Sequence, residues 1–129
     1  IRDHDRVKFE AKKAYLREVE SFLNKKYGAE IVSADIKDMY FNMREKIEPM
    51  MYIVDLAKEA MGNLGISPRT TPVRGGTDGS RLSFMGLPCP NIFTGGHNFH
   101  GKFEFLPIES LVKSAAVVAE IATLVAKKK

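Results

Sequence analysis

The sequence predicts an α/β protein, with an α+β arrangement in its first part and a mixed sheet in its second. Three observations predict it. The apolar period changes from helical to alternating and back to helical within the first half of the chain. The middle is dense in glycine and proline, with short apolar runs between them. The last helix is apolar over so wide an arc that it is expected to lie on a sheet.

The first helix is expected to start at Asp5, whose side chain suits an N-cap. Phe9, Leu16, Val19 and Leu23 form its apolar stripe, and Lys25, Lys26 and Gly28 make its stop. Ile1-Arg2-Asp3 before it reads as the end of a strand. Over residues 30–40 the period becomes two: Val32, Ala34 and Ile36 alternate with Ser33, Asp35 and Lys37, as in a half-buried strand. The charged stretch 45–49 marks a boundary, which divides the chain into residues 1–47 and 48–129. Pro49 suits the first turn of a second helix. Ile53, Ala57, Ala60 or Met61, and Leu64 form its buried stripe, and Gly62 and Gly65 end it. The apolar runs 71–74, 82–85 and 91–94 read as short strands, with their loops gathered at one sheet edge. A final helix is expected over 109–126.

Composition excludes several classes. The 129 residues suffice for one domain with a real core. No stretch approaches the ~20 apolar residues of a membrane span. The single cysteine, Cys89, precludes an internal disulfide framework. With no signal-peptide pattern at the start, a cytoplasmic location is expected. The net charge is +4, but the lysines of the first helix alternate with Glu10, Glu18 and Glu20, as on a solvated face. Without aromatic and basic residues interleaved, no nucleic-acid partner is expected.

Two segments carry candidate chemistry. In Arg74-Gly75-Gly76-Thr77-Asp78-Gly79-Ser80-Arg81, glycines let backbone amides approach an anion, and Thr77 or Asp78 can cap a short helix. The two arginines suit a carboxylate. An ordinary tight turn with surface arginines accounts equally for the pattern. The second segment, 95–104, holds His97 and His100, two of the three histidines. Imidazole is a common zinc ligand, but a zinc site takes three or four ligands and no second cluster has suitable spacing. On the pattern alone, both rings hydrogen-bonding to loop backbone is the favoured reading.

These segments, quoted at length, resemble a known family. The run from Thr71-Pro72-Val73-Arg74-Gly75-Gly76-Thr77-Asp78-Gly79 through Phe84-Met85-Gly86-Leu87-Pro88-Cys89-Pro90-Asn91 to Gly95-Gly96 is similar to the C-terminal part of the peptidase T family of di-zinc tripeptide aminopeptidases. So are Asn98-Phe99-His100-Gly101-Lys102-Phe103-Glu104, the opening Arg2-Asp3-His4-Asp5-Arg6, and Tyr40-Phe41-Asn42-Met43-Arg44-Glu45-Lys46. The resemblance implies that residues 1–47 are the second half of a ferredoxin-like lid and dimerisation domain. Residues 48–129 are then the last part of a catalytic α/β domain.

The same resemblance implies the site. His100 is one zinc ligand, Arg2, Gly76, Thr77 and Arg81 meet the substrate, and none of the residues that act directly on the scissile bond lies in this chain. It implies two zinc ions per full-length protein, a short peptide as substrate, and a homodimer. This chain is then an inactive fragment of a peptidase that releases the first residue of tripeptides. The alternatives are a related dipeptidase or carboxypeptidase, or a non-catalytic assembly module. Pro107 departs from the family, standing near where its members often have a hydroxyl residue ahead of the last helix, so a cap is expected to be lost. An unpartnered strand edge in half a lid predicts self-association. Light scattering at high concentration checks it, and a strictly monomeric mass counts against it.

Overall fold

A computed structural model describes residues 1–73 and 76–128. Arg74 and Gly75 of the first glycine-rich segment and Lys129 of the basic tail lie outside the described residues. Among the described residues five α-helices follow in order: α1 (Arg6–Tyr27), α2 (Arg44–Ile47), α3 (Tyr52–Asn63), α4 (Asp78–Phe84) and α5 (Ile108–Lys127). A short 3₁₀ turn over Glu48–Met50 joins α2 to α3.

The helix termini follow their sequence signals. The Asp5 carboxylate accepts the Lys8 amide at 2.9 Å, and α1 stops at Gly28, whose φ is 70°. Pro49 sits in the first turn of the 3₁₀ segment, where its missing N–H costs nothing. Pro107 occupies the N-cap of α5 without any side-chain hydrogen bond, as the sequence comparison with the family expects.

The predicted α/β class, with its mixed sheet, is not what the chain forms. Among the described residues there is no strand and no sheet; a single antiparallel bridge joins His97 to Phe105. The reason is visible at residues 30–36. Val32, Ala34 and Ile36 are half-buried and their neighbours exposed, so the period-two pattern holds. Their backbone, however, is satisfied by α1. The Asn24 amide donates to Val32 O at 2.8 Å while its Oδ1 accepts Val32 N–H at 2.9 Å, and Glu20 Oε1 accepts Ala34 N–H at 2.9 Å. An extended segment whose polar groups are closed by side chains does not enter a ladder. The opening tripeptide 1–3 is likewise irregular.

The apolar runs of the middle also depart from expectation. Residues 71–73 and 91–94 are irregular, and 82–84 belong to α4. Thr77 Oγ1 accepts the Ser80 amide at 3.2 Å and starts this helix, so Leu82 and Phe84 are helical residues. A short apolar run fits either state, and the cap decides it.

The core lies between α3 and α5. Leu56, Ala60, Val117 and Leu124 are buried there, with Met61, Ile66, Phe93 and Ile121 packed around them. Leu56 is the buried residue the helical stripe missed, and Leu64, assigned to that stripe, is exposed. Helix α5 has a second apolar face: Leu111, Val112, Val118 and Val125 are all more than half exposed. No helix among the described residues is long and apolar enough to cross a membrane.

A second packed region surrounds Phe41. Its ring meets Phe9 edge-on with centroids 6.1 Å apart, and Phe84 at 5.6 Å. The Arg6 guanidinium lies 3.8 Å from the ring centroid. The Phe41 carbonyl accepts the buried Ser80 hydroxyl at 2.6 Å. This joins α1 to α4.

The two faces of α5 give a paired test. Val117→Ala, which empties part of the core, is expected to lower stability by about 2 kcal/mol in urea unfolding. Val118→Ala, on the exposed face, is expected to change it by less than about 0.5 kcal/mol.

Candidate functional site

Helix α4 and the chain on either side of it bring three of the expected substrate residues together. Gly76, Thr77 and Arg81 line one open cavity of about 660 Å³, closed on another side by Met39 and Tyr40. The glycines here are required by close approach. A Cβ on Gly76 would stand 2.6 Å from Tyr40 Cδ1, and one on Gly79 would stand 2.5 Å from the Cys89 carbonyl oxygen. Gly79 thus lets residues 89–91 lie directly on the helix backbone. Ser83 completes that contact: buried, its hydroxyl donates to Gly79 O at 2.7 Å and accepts the Cys89 amide at 2.9 Å. Cys89 is a half-buried packing residue in this arrangement.

Sequence reasoning missed Ser80, Ser83 and Asn91. Asn91 Nδ2 approaches Thr77 Oγ1 at 3.2 Å and lines the same cavity. A signal did exist for the serines: they are three residues apart, as neighbours on one helix face, once Thr77 is read as the cap.

Arg2 and His100 do not line this cavity. Arg2 is exposed ahead of α1, and its carbonyl accepts Lys12 Nζ at 3.0 Å. The same ammonium meets Asp3 Oδ2 at 2.7 Å. That hydrogen bond, with a second from the Asp5 amide, holds the Asp3 carboxyl down at about 2. One lysine therefore ties down both the Arg2 carbonyl and the Asp3 carboxylate.

His100 stands at the tip of a closed loop. The His97 and Phe105 backbones exchange hydrogen bonds at 2.9 and 3.2 Å, and their rings stack 4.9 Å apart. Asn98 Nδ2 donates to Phe103 O at 3.2 Å, and Gly101 N–H to Asn98 O at 2.8 Å. Within this frame Asn98 and His100 take φ of 55° and 63°, in the left-handed region. Such a conformation costs a non-glycine residue about 1–3 kcal/mol. Glu104 offsets it, accepting the His100 amide at 2.8 Å. The two histidines are thereby distinguished. His97 is engaged in the bridge and the ring stack, whereas the exposed His100 is held by its backbone alone among the described residues.

An imidazole at a loop tip has the donor chemistry that zinc takes. The other ligands are lacking: no group of three or more His, Cys, Asp or Glu among the described residues could hold a metal ion. His100 by itself does not make a zinc site.

The Asp3 clamp has a definite pH signature. A carboxyl held below its unfolded value stabilises the fold above about pH 4, and that contribution is lost as pH falls toward 2. Lys12→Ala is expected to raise the Asp3 pKa toward the ordinary carboxylate range, with the Asp5 amide still holding it down in part, read by NMR titration of its carboxyl carbon.

No protein-family profile matches the chain. Individual relatives do. Over 128 residues the chain is 56% identical to the Peptidase T of Geobacillus sp. (strain WCH70), and 56% identical to that of Caldanaerobacter subterraneus subsp. tengcongensis. It is 55% identical to the Peptidase T of Clostridium botulinum (strain Loch Maree / Type A3). Each alignment covers 99% of this chain and 31% of the relative. The chain thus resembles peptidase T along essentially its whole length, while spanning about a third of the length of those relatives.

Proposed function

We propose that this chain is the part of an aminopeptidase acting on tripeptides that supplies the substrate groove and one metal ligand. The observation that carries the reading is the convergence of Gly76, Thr77 and Arg81 on one cavity. Their assignment to substrate comes from the resemblance, and their lining of one cavity is consistent with it. Arg81 suits the carboxylate of a short peptide, because a guanidinium offers paired donors to a carboxylate's two oxygens. Thr77 Oγ1 accepts the Ser80 amide as the cap of α4, so its contribution is to fix the loop.

His100 contributes one donor to a two-zinc centre whose remaining ligands belong to the rest of a full-length relative. When bound, zinc would acidify a water and polarise a peptide carbonyl. Arg2 approaches the substrate from the α1 side. The homodimer and the cytoplasmic location are part of the same proposal, as is the inactivity of this stretch by itself.

The test is made in a full-length protein carrying this sequence. His100→Ala is expected to reduce bound zinc, measured by metal analysis, and to lower tripeptide hydrolysis by at least about a hundredfold. Full activity and undiminished zinc in that variant would remove His100 from the site and favour a non-catalytic assembly role.

A further inference from the structure

We propose that Tyr40 determines specificity in the groove: its ring, with Met39 beside it, receives the side chain adjoining the peptide carboxylate that Arg81 holds. This rests on the peptidase reading above and adds to it a residue that the resemblance did not assign.

Tyr40 is placed by both of its neighbours. On one side its ring lies against the backbone of Gly76, so closely that any Cβ there would strike it. On the other, Phe41 is anchored by Phe9, Phe84 and Arg6 around its ring and by the Ser80 hydroxyl at its carbonyl. A residue between two fixed points has little freedom to leave. Yet Tyr40 remains 37% exposed and Met39 89% exposed, both on the cavity wall. A pre-positioned aromatic face and a flexible thioether left open to a cavity are what an apolar side chain binds.

The rest of the groove is polar. Among the described residues Arg81 is the cation on the wall, and Asn91 lines it beside Thr77. Asp78, three residues before Arg81 on the same helix, also lines it. This carboxylate disfavours a polyanion, so a group with one negative charge is the better match for Arg81. An apolar wall and a guanidinium in one groove suit the last residue of a peptide, with its α-carboxylate and an apolar side chain on the same carbon.

The experiment compares tripeptides ending in leucine and in glycine, using the full-length protein. The wild type is expected to prefer leucine in kcat/KM. Tyr40→Ala is expected to lower that preference about tenfold, the size of discrimination that apolar contact supplies, with the change mostly in KM. Tyr40→Phe, which keeps the ring and its packing on Gly76, is expected to retain the preference. If Tyr40→Ala lowers both substrates equally and leaves their ratio intact, the residue only packs and the proposal is overturned. A wild type indifferent to the last side chain overturns it as well. A wild type that cleaves neither peptide overturns the aminopeptidase reading itself, and Tyr40's role with it.

Discussion

The anchoring of Phe41 is the constraint on which the rest of this structure depends. Helix α1 contains no buried residue, so it does not hold its position by a core of its own. Its link to the remainder runs through Phe9 and Arg6, both on the Phe41 ring. An aromatic pair contributes about 0.5–1.5 kcal/mol beyond its area, and an exposed cation–π contact about 0.5–1 kcal/mol. The nearby Arg6–Glu45 pair, at 3.9 Å and half exposed, is an ion pair of the kind that contributes about 0–1 kcal/mol. The ring contacts therefore dominate the junction. Through the Phe41 carbonyl the junction continues to Ser80 and into α4, which carries the groove.

From this junction the extended segment 30–40 acquires its course. Asn24 and Glu20 close it against α1 at one end, and Lys13 meets Asp38 at 2.9 Å further along. Glu10 and Asp38 together push the Lys13 ammonium's pKa upward, since both carboxylates favour its charged form. The side chains of α1 thus take the role a neighbouring strand would play. They also deliver Met39 and Tyr40 to the groove at the end of the segment.

Much of this was legible in the residues. Asp5, Gly28, Pro49 and Thr77 stand where caps and first turns need them, because a cap is a local hydrogen-bonding problem with few chemical solutions. The alternation of Val32, Ala34 and Ile36 was read correctly as half-burial. The sheet was not there to be read: period two reports which face is covered, and says nothing of what satisfies the backbone. Here that is decided by Asn24 and Glu20, which look like ordinary polar helix positions in sequence. Residues 82–84 show the complementary error, where apolar content suggested strands but the Thr77 cap dictates a helix. In the site, Gly76, Thr77 and Arg81 stand in one glycine-rich segment and line one cavity. Tyr40 and Asn91 escaped, because they reach the groove from residues distant in sequence, and only the Phe41 and Gly79 contacts place them there.

The two loops that carry candidate chemistry share a physical design. Each obtains its geometry from short-range bonds rather than from the α3–α5 core. Around His100 the left-handed backbone is compensated within residues 97–105, by the bridge, the Asn98 amide and Glu104. Around Gly76 the geometry comes from the Thr77 cap, the Ser83 hydroxyl and the Tyr40 ring. Such local closure separates stability from function: a cavity in the core weakens the fold without altering the direction in which His100 or Arg81 projects. It also explains why the costly features are the exposed ones. A histidine at positive φ and apolar side chains left open to a cavity are unfavourable for folding, and each is retained beside several bonds that hold it in place.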